Sequence, residues 1–440
     1  MSYELMAILM FFSMVTMLLT GRHIYAVIGG VATLFAMLLW GKGGSALPYH
    51  AVISLLNWYP LLTLPIFIFM GYMFSKAGIA DDLYEMMHVW FGPVRGGLAI
   101  GTIVLMSVIA AMNGLSVAGM AIGTTIALPE MLKRKYDKIL VTGVIQAGSS
   151  LGIMIPPSVV LVLYGMIARQ PVGRLWIAGV FPGLLLTALF IIYIVIRSIL
   201  QPDIGPALPV EERNISFKKK LILLSSGLPP LVIIFMMSGL FFMGVTSLVE
   251  SSAVGALAVT FVALAKKRLT WVGLKEVLIE TLSVSCMFMW VILAALAFGA
   301  VFDGLGAVHA IKSLFLDYGF SKWGILLMMQ LSYILMGMFL DDTAMLIIVA
   351  PLYVPLIIEL GFSPIWYGIL YTITCQIAYL TPPFGYNLFL MKAMAPKEIS
   401  LSDIYRSVWP FVALMILGLA IVMMFPGIAT WLPDLVYANR

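Results

Sequence analysis

Apolar residues run along this chain in blocks of about 17 to 25, the length a helix needs to cross the hydrocarbon core of a bilayer. Short polar or glycine-bearing interruptions separate the blocks. The runs are continuous and do not alternate over about ten residues, which excludes a transmembrane β-barrel. In chain order they predict helices over about 4–20, 24–40, 57–75, 175–197, 221–243, 247–265, 282–302 and 408–425. Shorter mixed segments at about 47–56, 80–91, 270–281 and 305–317 are too short to span and read as interfacial.

Four further blocks are interrupted from within. Residues 97–133 and 322–360 exceed one crossing, and each has a polar middle: Asn113-Gly114-Leu115-Ser116-Val117-Ala118-Gly119 and Leu340-Asp341-Asp342-Thr343-Ala344. Each pattern predicts two helical arms meeting at a tip, a re-entrant hairpin. Residues 139–166 and 364–394 are membrane-length but contain Pro156-Pro157 and Pro382-Pro383 among Gly, Ser and Thr. Proline removes an amide donor and glycine costs backbone entropy, so both should be broken helices. Lipid cannot satisfy an opened backbone, so such breaks persist only where they line a protein-enclosed cavity.

The interruptions repeat. At an offset of 226, Gly29 meets Gly255, Pro129 meets Pro355, and the two proline pairs coincide; with small indels, Gly92 meets Gly319 and Gly71 meets Gly299. The repeat divides the chain into residues 1–200, with its hairpin at about 97–133; a linker, 201–220; and residues 221–440, with its hairpin at about 322–360. Basic clusters fix the orientation. Lys218-Lys219-Lys220, Lys266-Lys267-Arg268, Lys133-Arg134-Lys135, Lys392, Lys397 and Arg22 fall on one side, read as cytoplasmic, with Lys42, Arg169 and Arg174 as exceptions. The linker is then a solvated cytoplasmic loop, the first helix runs inward, and the one starting near 221 runs outward. The halves are inverted, the first hairpin opens from the cytoplasm and the second from the periplasm, and both termini are periplasmic.

Composition sharpens the class. The 440 residues are 62% hydrophobic and 10% charged, with mean hydropathy +1.08, so the fold class is all-α polytopic membrane protein. The net charge of +5 is accounted for by topology and implies no nucleic-acid partner. Cys286 and Cys375 lie in apolar segments without a CxxC, as packing residues would. His23, His50, His88 and His309 sit at segment ends, away from any proton path. With no HExxH, GxSxG or Walker A sequence, neither an enzyme nor an ATP-driven pump is indicated.

In an inverted repeat the tips and breaks converge near the membrane midplane. Unwound carbonyls and helix C-termini there suit a small hard cation, and helix N-termini suit a carboxylate. Ser149, Ser150 and Thr381 offer hydroxyl and carbonyl oxygens, and Asn113 and Asn387 offer amides. Asp341 and Asp342 are an acidic pair at membrane depth, which calls for an ion or donors. The other reading is that one of them caps the second arm of the hairpin, and the two roles can coexist, one residue each.

At these breaks the sequence resembles the large membrane subunit of tripartite ATP-independent periplasmic (TRAP) transporters. The resemblance rests on GSSLGIMIPPSVVLVLYG (148–165) and LTPPFGYNLFLMK (380–392), supported by GVTSLVESSAVGA (244–256), the Asn113 tip and MGMFLDDTAMLIIVAP (336–351). It implies an elevator-type transporter of the bacterial inner membrane, importing a small organic anion, a carboxylate or sulfonate, with Na⁺. It further implies two partners: a separate small four-helix membrane subunit and a periplasmic substrate-binding protein. Carried over by motif, a first sodium site involves Asn113, Ser116, Ser149, Ser150 and Gly152, and a second involves Asp341, Asp342, Thr343, Thr381 and Gly385. The anion pocket takes in Asn113, Ser150, Pro156, Thr343, Pro383 and Asn387. The alternative is a stand-alone divalent-anion/sodium symporter with no delivery protein.

Overall fold

The structure, a computed structural model of the whole chain, describes all residues except 1–2, 19, 21, 40–42, 45, 115, 210–215, 226, 307–318, 338–341, 383–384 and 438–440. For some others, including 113 and 342–344, it describes the backbone and not the side chain. Among the described residues there is no β-strand.

The first half holds α1 (Tyr3–Leu18), α2 (Ile24–Leu39), α3 (Ala46–Leu56), α4 (Thr63–Lys76) and α5 (Ile79–Phe91). The chain bends by 61° between α4 and α5, at Gly78 with φ +65, a left-handed conformation glycine adopts without penalty. The first interrupted block is α6 (Gly97–Asn113), α7 (Ser116–Ile122), a π-helical turn at Gly123–Ala127 and α8 (Leu128–Lys133). The first broken helix is α9 (Lys138–Ser150), a 3₁₀ turn at Leu151–Ile153, an unwound stretch and α10 (Val159–Ile167); α11 (Val172–Leu200) follows.

The second half opens with α12 (Phe217–Ser225) and α13 (Leu228–Ile234), the latter continuing through a π-helical turn into α14 (Leu240–Phe242). Then come α15 (Leu248–Ala265), α16 (Trp271–Gly304), the arms α17 (Lys322–Gly337) and α18 (Asp342–Glu359), the second broken helix α19 (Pro364–Leu380) with α20 (Tyr386–Met394), α21 (Leu401–Met424) and α22 (Gly427–Tyr437). Among the described residues, five helical runs are long and apolar enough to cross a membrane, six if α4 and α5 count as one bent span. An outer group, α2, α3, α4, α15 and α16, packs together, and the interrupted helices α6 to α10 and α17 to α20 pack among themselves with α11 and α21.

The helices on either side of both breaks end and begin where the sequence places them, as do the arms α6 and α7 of the first interrupted block, whereas residues 338–341 between α17 and α18 lie outside the described residues. Three expectations need correction. The interfacial segment at 270–281 and the helix at 282–302 are one 34-residue helix, α16. That stretch has no proline, whereas its counterpart carries Asn57, Pro60 and Pro65 and breaks between α3 and α4; Thr270 starts α16 by accepting from Gly273 N at 3.1 Å. The chain also does not close at about 425, because α22 folds back on α11, with Arg174 5.0 Å over the Tyr437 ring. Finally, the linker is only partly a solvated loop. Gly205 O accepts from Gly96 N at 2.8 Å, Gly92 O from Leu208 N at 2.9 Å and Ile204 O from Asp137 N at 3.0 Å, and the Leu208 side chain is buried. The segment expected at 305–317 lies almost wholly outside the described residues.

Candidate functional site

Three helix ends meet at the first break. Ser149 is the last residue but one of α9, Ser116 begins α7 and Asn387 is the second residue of α20. Ser116 Oγ lies 3.1 Å from Asn387 Nδ2, from which it accepts, and 3.2 Å from Oδ1, to which it donates. Asn387 Nδ2 also reaches Ser149 Oγ at 3.4 Å. All three are buried, at 3%, 0% and 2% exposure for Ser116, Asn387 and Ser149. The tip is pressed onto the break by its glycines. Gly114, at φ +68, accepts from Val159 N at 3.3 Å, and a Cβ there would stand 2.5 Å from Pro157 O. A Cβ on Gly119 would come within 3.2 Å of Ser149 Cα. The two backbones thus approach as closely as glycine allows.

The break itself is internally bonded. Ser149 Oγ donates to Gln146 O at 2.9 Å and Ser150 Oγ to Ala147 O at 2.7 Å. Gly152 lies buried in the 3₁₀ turn and Pro156 buried beyond it, joined to Pro157 by a cis peptide. Ser158 caps α10, accepting from Leu161 N at 3.2 Å, and its hydroxyl donates to Ile153 O at 2.5 Å. Residues 154–157 belong to no helix, which leaves their carbonyls outside any helical ladder.

The second break is described in part. Thr381 is buried and donates to Ile377 O at 2.6 Å, and Gly385 N donates to Thr381 O at 3.2 Å. A Cβ on Gly385 would lie 2.4 Å from Tyr379 O, so only glycine fits. Asp342 begins α18. Asp341 and Pro383 lie outside the described residues, as do the side chains of Asn113, Asp342 and Thr343. Of the first set, Ser116 and Ser149 meet through Asn387, and Ser150 and Gly152 follow Ser149 along the break; of the second set, Thr381 and Gly385 are described.

Sequence reasoning missed the buried polar seam behind these residues. Gln376 Nε2 donates to Ser150 O at 3.0 Å, a pair separated by 226 positions; the repeat offset was the signal that could have found it. A residue touching its own repeat counterpart sits where the two halves cross. Thr374 Oγ1 donates to Gln330 Oε1 at 2.5 Å and Tyr367 Oη to Tyr333 Oη at 3.0 Å, joining α19 to α17. No periodicity announces these contacts, because each partner sits in an otherwise apolar helix.

Chemically, the C-terminus of α9 presents carbonyl charge, while α20 begins at Gly385 with no side-chain cap and presents amide charge. One end suits a cation and the other a carboxylate. The donors at the first break are neutral oxygens, and among the described residues no three His, Cys, Asp or Glu side chains stand together to hold a metal ion. Neutral hydroxyl, amide and carbonyl oxygens fit a monovalent hard cation carried as cargo. Among the described residues, cavities of about 670 Å³ between α10, α16 and α18 and of about 600 Å³ beside α3 and the start of α11 are lined by other residues, and Ser116, Ser149 and Asn387 are themselves buried.

Comparisons with known proteins agree with this architecture. A family model described as "Tripartite ATP-independent periplasmic transporter, DctM component" matches residues 11–428. The chain is 31% identical over 377 residues to the C4-dicarboxylate TRAP transporter large permease protein DctM of Pseudomonas aeruginosa, covering 86% of each. It is 26% identical to the ectoine TRAP transporter large permease protein TeaC of Halomonas elongata, covering 92% of this chain and 93% of that one. It is also 26% identical to the sialic acid TRAP transporter large permease protein SiaM of Vibrio cholerae, covering 86% and 87%. The fold is similar to that of the YdaH transporter of Alcanivorax borkumensis, with TM-score 0.65 at 13% identity over 89% of this chain and 90% of that one. The chain is a polytopic membrane protein that belongs to the DctM, or large permease, family of TRAP transporters.

Proposed function

We propose that this permease imports a small organic anion across the bacterial inner membrane, coupled to Na⁺ and moving its interrupted helices as an elevator. The observation that carries the reading is the buried meeting of Ser116, Ser149 and Asn387, from two halves of the chain and three helix ends. It supports a cation site of neutral oxygens at the C-terminus of α9. The uncapped start of α20 nearby supports a carboxylate site, and relatives named for C4-dicarboxylates and sialic acid favour that substrate class. The aspartates at 341 and 342 serve the second ion, with Thr343, Thr381 and Gly385. The partners are a small membrane subunit and a periplasmic binding protein that delivers the anion.

The test is uptake by vesicles containing the permease with both partners, driven in turn by a sodium, potassium or proton gradient. The expected result is accumulation with sodium alone. Uptake indifferent to sodium would sink the coupling. Thr381→Ala and Asp342→Ala are each expected to weaken the sodium dependence more than expression.

A further inference from the structure

Asn387 stands out when the halves are overlaid. At the repeat offset of 226 its counterpart is Leu161, and the counterpart of Ser149 is Cys375. The amide bridge between tip, break and opposite half thus exists once and is not a by-product of the repeat. Both polar atoms of its side chain have partners: Oδ1 accepts from Ser116, and Nδ2 serves Ser116 and Ser149. At 0% exposure, no face of the amide is left for a solute. The contact extends along the helix pair, with Thr124 Oγ1 3.3 Å from Met394 Sδ, so α7 and the turn after it ride on α20. Asn387 lies two residues beyond Gly385, the last residue of the second break.

We propose that Asn387 is a positioning residue and not a substrate ligand. It holds the hydroxyls of Ser116 and Ser149 in register and ties their spacing to the second break. Occupancy of the first ion site then depends on where α20 starts, at Gly385 and Tyr386, which gives the protein a physical link between its halves. A rigid amide is suited to this, since it can donate to one hydroxyl while exchanging bonds with the other. This inference rests on the sodium-coupled reading for its ion and on geometry alone for its latch.

The experiment measures two things on Asn387→Ala and on Asn387→Leu, the latter being the residue the counterpart position uses and close to asparagine in size. The first is uptake in the complete three-component system. The sodium concentration for half-maximal uptake is expected to rise roughly tenfold, the equivalent of about one buried hydrogen bond. The substrate KM at saturating sodium should stay within about twofold. The second is hydrogen exchange of the permease, where the peptide covering 116–122 should lose protection while 322–337 keeps its own. Adding Ser149→Ala to either variant should raise the sodium requirement further, because it removes a hydroxyl of the site itself, while exchange at 116–122 should change little more, because the bond to Asn387 is already lost. A raised substrate KM with an unchanged sodium requirement would make Asn387 a substrate ligand and overturn the proposal. Unchanged exchange at 116–122 would overturn the latch whatever the ion. If the unaltered protein ignores sodium, the coupling reading fails, and the exchange data still decide whether the latch exists.

Discussion

At the residue scale, the tip and break are held by backbone geometry before any side chain acts. Gly114 combines a left-handed φ with a Cβ position 2.5 Å from Pro157 O. Gly361 has a similar φ, +80, but nothing within 4 Å of its Cβ position. The pair separates two costs. Gly361→Ala should lose about 1 kcal/mol from the backbone preference alone, with uptake kept. Gly114→Ala pays the same preference and must also lift the tip from Pro157 and Val159, so uptake should fall at least tenfold with a clearly larger drop in thermal midpoint. Thermal unfolding in detergent and vesicle uptake check both; equal behaviour would mean that the tip does not depend on this contact. Ser158 is a second residue of this kind, capping α10 while bonding Ile153 O. Its replacement by alanine should cost about 1 kcal/mol, read as a lower thermal midpoint.

At the element scale, what was legible followed from local chemistry. The breaks at 151–158 and 381–385 are visible because proline, glycine and hydroxyl residues act on the backbone that carries them. The arms on either side of 113–116 were legible for the same reason. What was not legible depends on partners far away in sequence. Asn387 bonds Ser116 across 271 positions and Gln376 bonds Ser150 across 226, and in a helix otherwise apolar a single amide gives no direction. The continuity of α16 was missed because a polar, charged start, Lys275 and Glu276 with Glu280, reads as interfacial, although no residue in it stops a helix. Lys76 Nζ pairs with Glu276 at 2.9 Å and places that start against α4. The linker shows the opposite error, since prolines and charges suggested solvent while Leu208 sits buried against Gly92. Leu208→Ala should remove about 2 kcal/mol or more of local burial, so proteolysis within 201–220 should quicken several-fold without loss of the helices. Unchanged cleavage would show that the backbone bonds to Gly92, Gly96 and Asp137 hold the linker without the leucine.

At the scale of the whole molecule, the proposed elevator requires two surfaces that can move past each other. A close-packed interface resists sliding because every displacement breaks its interdigitation. The boundary between α16 and α18 is of another kind: a Cβ on Gly299 would touch Pro351 Cβ at 2.8 Å, yet Gly299, Ala300, Ala350, Pro351 and Val354 also border the cavity of about 670 Å³. Small side chains beside a void leave room for translation. Within the outer group, α2 and α16 meet at Gly29 and Ala294, with a Cβ position 3.5 Å from Ala294 Cβ, and an elevator moves neither against the other. Paired cysteines distinguish the two boundaries, after Cys286, which is exposed, is changed to serine. Gly29→Cys with Ala294→Cys starts at the Cβ separation a disulfide needs, about 3.5–4.5 Å, and Gly299→Cys with Pro351→Cys needs a small separation of the helices to reach it. Oxidising the 299/351 pair should arrest uptake, with recovery on reduction, whereas the 29/294 disulfide should leave uptake intact. Continued uptake with 299 and 351 linked would mean that α18 does not travel along α16, and arrest by both would mean that the outer group is not a fixed support. The first result would rule out an elevator across this boundary, and the second would leave the fixed side of the motion to be sought outside α2 and α16.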